Sequence, residues 1–105
     1  MTLENQNERI HNPTKQDLDA YLNCMFDDVD QFVTLTRAKA DFGVRYVQAC
    51  FAGTKLIVQL GIEKGNSTKL VEKVCSNSNE CVEIFYLFYS SGKVDNLGEY
   101  LPVQF

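Results

Sequence analysis

The sequence predicts an α+β domain in which a four-stranded antiparallel meander carries an N-terminal and a C-terminal helix. Three observations predict it. Two segments show apolar residues at helical spacing behind capping residues, four runs between them alternate with a period of two, and short glycine-bearing connections join those runs. The chain has 105 residues, 45% of them hydrophobic and 11% aromatic. That is enough for one core and one domain spanning 1–105.

Asn12-Pro13-Thr14 is the first structural punctuation. Thr14 with Asp17 three residues later has the spacing of a capping box, with Asp in place of Glu or Gln. Leu18, Tyr21, Leu22 and Met25 then recur at i, i+3, i+4 and i+7, so a first helix starts here. Asp27, Asp28 and Asp30 fall where a helix C-terminus disfavours negative charge, which places its end at Phe26 or Asp27. Residues 1–11 carry no such pattern and are expected to be a mobile leader.

From Phe32 to Arg37 the period becomes two, with Val33 and Leu35 set against Thr34 and Thr36. A turn at Ala40–Gly43 leads to a second run, Val44–Phe51. Ala52-Gly53-Thr54 leads to a third, in which Leu56, Val58, Leu60 and Ile62 share a face. After Lys64-Gly65-Asn66-Ser67, Lys69–Cys75 supplies a fourth, weaker run, and connections this short favour antiparallel neighbours. Asn77 and Glu80 again have capping-box spacing. The apolar residues from Cys81 to Tyr89 then cover most of a second helix, with Phe85 and Phe88 as its core residues, and Ser91-Gly92 ends it. The tail from Lys93 to Phe105 is short and mixed, with Leu97, Tyr100, Leu101, Val103 and Phe105 as its apolar residues.

Composition narrows the function. The first residues lack the apolar stretch of a secretory signal, and the apolar run Ile84–Tyr89 is far short of the roughly 20 residues needed to cross a bilayer. A cytoplasmic location without membrane insertion is the expectation. Cys24, Cys50, Cys75 and Cys81 have no C-x-x-C spacing, and reduced, mostly buried thiols are expected in that compartment. His11 is the single histidine and sits outside any predicted element, which argues against a zinc site and against a Cys-His nucleophile. No Ser-nucleophile, phosphate-loop, dinucleotide or zincin signature is present, and Asp27, Asp28 and Asp30 lack the glycine-bearing loop of a calcium site. No enzyme, cofactor or metal is predicted.

The net charge is −4, and the acid is concentrated at one end. Up to Asp30, seven acids (Glu4, Glu8, Asp17, Asp19, Asp27, Asp28, Asp30) stand against Arg9 and Lys15. Such a field disfavours nucleic acid and anionic lipid, and it attracts a basic protein. Tyr46, Phe51, Tyr86, Phe88 and Tyr89 lack the positive groove of a base-stacking surface, so core packing is their first reading.

Several landmarks together resemble the small immunity proteins of bacterial polymorphic-toxin and contact-dependent growth-inhibition systems. They are Asn12-Pro13-Thr14, Phe32-Val33-Thr34-Leu35, Tyr46-Val47-Gln48-Ala49, Glu63, and Val82-Glu83-Ile84-Phe85 with Phe88-Tyr89 and Gly92. They span roughly residues 12–92. The chain departs from that family in having no tryptophan after the last helix, where Leu97 or Tyr100 stands instead. The resemblance implies that the protein binds and neutralises a cognate toxin domain, often a nuclease, in the cytoplasm of the producing cell. The candidate partner-binding residues are Asp27, Asp28 and Asp30, with Asp95 and Glu99 secondary. The competing reading is a small-ligand or sensory domain with an aromatic-lined pocket between sheet and helices.

Overall fold

In the computed structural model, which describes residues 1–103, the chain runs β1 (Thr2–Glu4), β2 (Arg9–His11), α1 (Lys15–Asp27), β3 (Phe32–Thr36), β4 (Val44–Ala52), β5 (Lys55–Lys64), β6 (Ser67–Val74) and α2 (Ser78–Ser91). A single 3₁₀ turn at Leu97–Glu99 and the two-residue β7 (Leu101–Pro102) follow. Phe105, at the end of that tail, lies outside the described residues. The α+β class, the two helices and the β3–β6 meander match the sequence reading. The sheet, however, has seven antiparallel strands in the order β2-β1-β3-β4-β5-β6-β7, not four.

The added strands lie at the two flanks. Residues 1–11, expected to be mobile, form a hairpin whose Leu3 stands between Ile10 on β2 and Leu35 on β3 and is fully buried. Asn5 shapes its turn: the side-chain oxygen accepts from the N–H groups of Asn7 and Glu8 at 2.9 and 2.8 Å, the Asx-turn device. At the other flank Leu101 and Pro102 pair with Glu72 and Val71, and proline is tolerated there because it sits on an edge strand.

One face of the sheet is covered. Val33, Leu35, Val47, Ala49, Val58, Leu60 and Val71 alternate onto it and are buried. Against them pack Leu18, Leu22 and Met25 of α1, lying over β3, and Cys81, Phe85 and Phe88 of α2, lying over β4 and β5. The capping box of α1 is formed: the Thr14 hydroxyl accepts from the Asp17 N–H at 3.1 Å while the Asp17 carboxylate accepts from the Thr14 N–H at 2.8 Å. The helices are joined by the Tyr86 hydroxyl donating to the Asp19 carboxylate and by the Tyr89 hydroxyl donating to the Pro13 carbonyl at 2.9 Å. No basic residue occupies the last turn of α2. Arg37, just past β3, takes that role by donating to the carbonyls of Phe88 and Tyr89 at 3.0 and 3.2 Å. Gly92 closes the helix at φ 78, and a Cβ there would also stand 2.9 Å from the Arg37 guanidinium.

Among the described residues no helix covers the opposite face. Its central row is a hydrogen-bonded polar ladder: Thr34 donates to Gln48 at 2.8 Å, Gln48 to Gln59 at 3.3 Å, and Gln59 to Glu72 at 3.1 Å. Beside it, the ring of Tyr46 lies so close over Gly61 that an added Cβ would approach within 2.0 Å, which is why glycine sits mid-strand.

Candidate functional site: an acidic groove at the sheet edge

The phase of β6 sets the site. Val71, Lys73 and Cys75 share the covered side of the sheet, so the pattern that buries Val71 also carries an ammonium inward. The Lys73 side chain is only 11% exposed. Its Nζ lies 3.0 Å from Glu99 Oε1 and 3.3 Å from Glu80 Oε2, and 5.4 Å from the centre of the Tyr100 ring. Burial opposes the charge on Lys73, but the hydrogen bonds and charges of Glu99 and Glu80 outweigh it and hold the ammonium above its ordinary range.

Glu80 is held from two sides. Asn77 caps α2 as its spacing requires, accepting from the Glu80 N–H at 2.9 Å. The Glu80 carboxylate does not complete the capping box on Asn77; its Oε1 accepts from the Ser76 N–H at 2.8 Å, leaving Oε2 to meet Lys73. The Ser76 hydrogen bond, aided by Lys73, keeps this carboxyl below the usual carboxylate range despite partial burial.

Two cavities flank this ion cluster. The larger, about 760 Å³, is a groove between the start of α2 and the β6–β7 edge, bordered by Glu72, Glu80 and Glu99 and by the apolar Val74, Leu101 and Pro102. The smaller, about 150 Å³, lies on the other side of Lys73 against α2, where Glu83, Asp95, Ile84, Leu87 and Tyr100 form its walls. Together they present five carboxylates (Glu72, Glu80, Glu83, Asp95, Glu99) around one ammonium. Val74 and Leu101, 53% and 67% exposed, stand at the rim.

The sequence candidates divide accordingly. Asp95 and Glu99 come together in this region. Asp27, Asp28 and Asp30 lie at the far end of α1 and border neither cavity. Asp28 has a local duty, accepting from the Asp30 N–H at 3.0 Å and from the Gln31 side-chain amide at 3.2 Å to shape the turn into β3. Glu80, Glu83, Lys73 and Tyr100 are not among the partner-binding candidates that the sequence offers; a lysine on the inward phase of a strand is the available signal. Of the aromatics, Phe85 and Phe88 are fully buried in the core and the Tyr86 and Tyr89 hydroxyls tie α2 to Asp19 and Pro13, while Phe51 joins Phe26 in lining an open cavity of about 400 Å³ between the end of α1, the β4–β5 turn and the start of α2.

All four cysteines are free. Two, not most, are buried: Cys75 and Cys81, whose mutual hydrogen bond lowers the Cys75 thiol and, with burial, raises Cys81. Cys24 is exposed on α1, and Cys50 is half-buried with its thiol raised by burial and by Glu72. Alkylation of the native protein should therefore add one label quickly, at Cys24, and all four only after unfolding, read by intact mass and peptide mapping. Rapid native labelling of Cys75 would contradict this placement.

Among the described residues no helix is long and apolar enough to cross a membrane. Comparison with known family models, curated proteins and solved structures finds no match.

Proposed function

We propose that the protein is an immunity-type inhibitor that binds a basic toxin domain, with a nuclease the leading class, through the groove beside α2. The observation that carries this reading is the composition of the groove. Exposed apolar Val74 and Leu101 stand at its rim beside the carboxylates of Glu72, Glu80 and Glu99, which is the makeup of a protein-docking patch for a cationic partner. Negative charge so placed speeds encounter with a basic cleft and mimics the phosphates such a cleft accepts. The resemblance to immunity proteins supports the same assignment, and binding of this kind requires no catalytic group. Within this reading Glu99 at the groove and Asp95 at the smaller cavity beside it take the leading role, and Asp27, Asp28 and Asp30 act as a distant electrostatic contribution.

The small-ligand reading draws support from volume alone, since 760 Å³ falls within the range of ligand sites. Its walls are open and set three carboxylates among the apolar side chains, which favours a protein.

The test is co-expression with a basic toxin domain, taken from the neighbouring gene where one encodes it, followed by stopped-flow association across salt concentrations. The Glu83→Gln/Asp95→Asn/Glu99→Gln variant should associate at least ~10-fold more slowly than wild type, with a flatter salt dependence. The Asp27→Asn/Asp28→Asn/Asp30→Asn variant should lose much less. If wild type neither binds nor protects, the immunity reading is lost. If the Asp27–Asp30 variant carries the loss instead, the site moves to the end of α1.

A further inference from the structure

Phe42 and the cavity beside Phe26 are complementary parts held at opposite ends of the molecule. Phe42 stands at the tip of the Ala40–Gly43 turn, which the Gly43 N–H closes by donating to the Ala40 carbonyl at 3.0 Å, and it is 55% exposed. One exposed ring is ordinary by itself; its surroundings are what select a partner. Lys93 Nζ lies 4.8 Å from the ring centre and Lys39 stands three residues before it, and neither ammonium forms an ion pair among the described residues. Asp41 precedes the ring directly. The tip is an apolar plug between two free cations and one acid.

The 400 Å³ cavity has the converse character. Phe26, Phe51, Leu56 and Val74 supply its apolar wall and Lys55 adds one cation. The chain leaves Phe26 directly into Asp27, Asp28 and Asp30, all exposed and all without an ion pair among the described residues. The cavity borders Asn77 and Ser78 at the start of α2, whereas Lys93 follows its end. A helix of 14 residues separates the two features by roughly 20 Å, so Phe42 cannot enter the cavity of its own molecule.

From this arrangement we infer that Phe42 of one copy docks into the cavity of a second copy, a head-to-tail contact between two different surfaces of the same chain. The volume is sufficient, since an apolar cavity of about 150 Å³ already takes up benzene. The charges match in both signs: Lys39 and Lys93 approach Asp27, Asp28 and Asp30, and Asp41 approaches Lys55. Each docked copy still offers a free ring at one end and a free cavity at the other, so the assembly grows by addition of copies instead of stopping at a two-fold dimer. A single plug with its charged flanks covers less than a standard interface, and the association is weak and reversible. The inference does not rest on the function proposed above, and its test uses this chain alone.

The experiment is sedimentation velocity on the full chain from ~20 μM to ~1 mM, at low and at high salt. The weight-average sedimentation coefficient of the wild type should rise with concentration, and added salt should reduce the rise. Phe42→Ser removes the plug and Val74→Arg fills the cavity mouth with a repelling cation; both side chains are exposed, so each variant keeps its fold, checked by two-dimensional ¹⁵N NMR spectra. Each variant alone should self-associate at least ~10-fold more weakly than wild type. An equimolar mixture of the two should recover association and stop at the dimer, because the Phe42→Ser copy supplies an intact cavity and the Val74→Arg copy an intact ring. A wild type that stays monomeric to ~1 mM overturns the inference. Unchanged association of Phe42→Ser or of Val74→Arg overturns it as well, since the contact then uses another surface. A mixture that stays monomeric overturns the head-to-tail pairing, and association indifferent to salt overturns the charge matching that selects a second copy as the occupant.

Discussion

Phe85→Ala and Phe88→Ala should each lower the free energy of unfolding by about 3–5 kcal/mol, measured by urea or guanidinium melts. Both rings are fully buried, and both occupy the side of α2 that faces β4 and β5. Truncation forfeits the transfer of an aromatic side chain out of water and leaves a void, because the floor beneath is a hydrogen-bonded sheet that cannot collapse upward to fill it. Val47, Ala49, Val58 and Leu60 are that floor, each fully buried and each fixed in register by the β4–β5 pairing. For a domain whose whole stability is of order 5–15 kcal/mol, either change removes a large share of it. Phe85→Leu should cost much less, since it keeps most of the volume. Losses under about 1 kcal/mol for both alanine variants would mean that α2 does not seat these rings on the sheet.

The elements legible in the sequence are those whose local signals and tertiary packing agree. Thr14 and Asp17, Asn77 and Glu80, and Gly92 mark helix ends chemically, and the alternation from Val33 to Ile62 marks strands long enough to show a period. β1, β2 and β7 have three, three and two residues, and each offers at most one inward apolar side chain. No period is visible over that length; these segments become strands only because β3 and β6 supply a preformed edge for them to pair with. The same limit applied to the site. Asp95 and Glu99 are visible as acids, but the approach of Asp95 to Glu83 and of Glu99 to Glu80 depends on the 3₁₀ turn and β7 folding back beside α2. The Asp27–Asp30 cluster stood out by density, and density does not report position: Asp28 there satisfies its own turn.

Replacing the buried ammonium should make the groove itself unstable at neutral pH. Lys73→Met keeps the inward aliphatic stem but leaves Glu80 and Glu99 facing each other without a counter-ion. Breaking a fully buried pair costs roughly 3–5 kcal/mol; here the partner side chains are 32% and 56% exposed, and water screens them, so about 2 kcal/mol is expected at pH 7. The pH dependence gives the sharper test. Glu80 titrates below its unfolded range, so its contribution is complete above about pH 4.3 and is lost as the pH falls through the folded value. Lys73 titrates above its unfolded range, so its contribution is complete below about pH 10.4 and is lost as the pH rises through its folded value. The wild type should therefore hold a stability plateau between about pH 5 and 10 from this cluster. In Lys73→Met, protonating Glu80 relieves its repulsion with Glu99 instead of breaking an attraction to Lys73. The gap between the two proteins should accordingly shrink from about 2 kcal/mol at pH 7 as the pH falls through the folded value of Glu80, in denaturant melts run across the acid range. A gap that stays constant with pH would assign the loss to packing of the Lys73 stem, and equal stabilities at pH 7 would show that the Lys73–Glu80–Glu99 cluster contributes nothing to the fold.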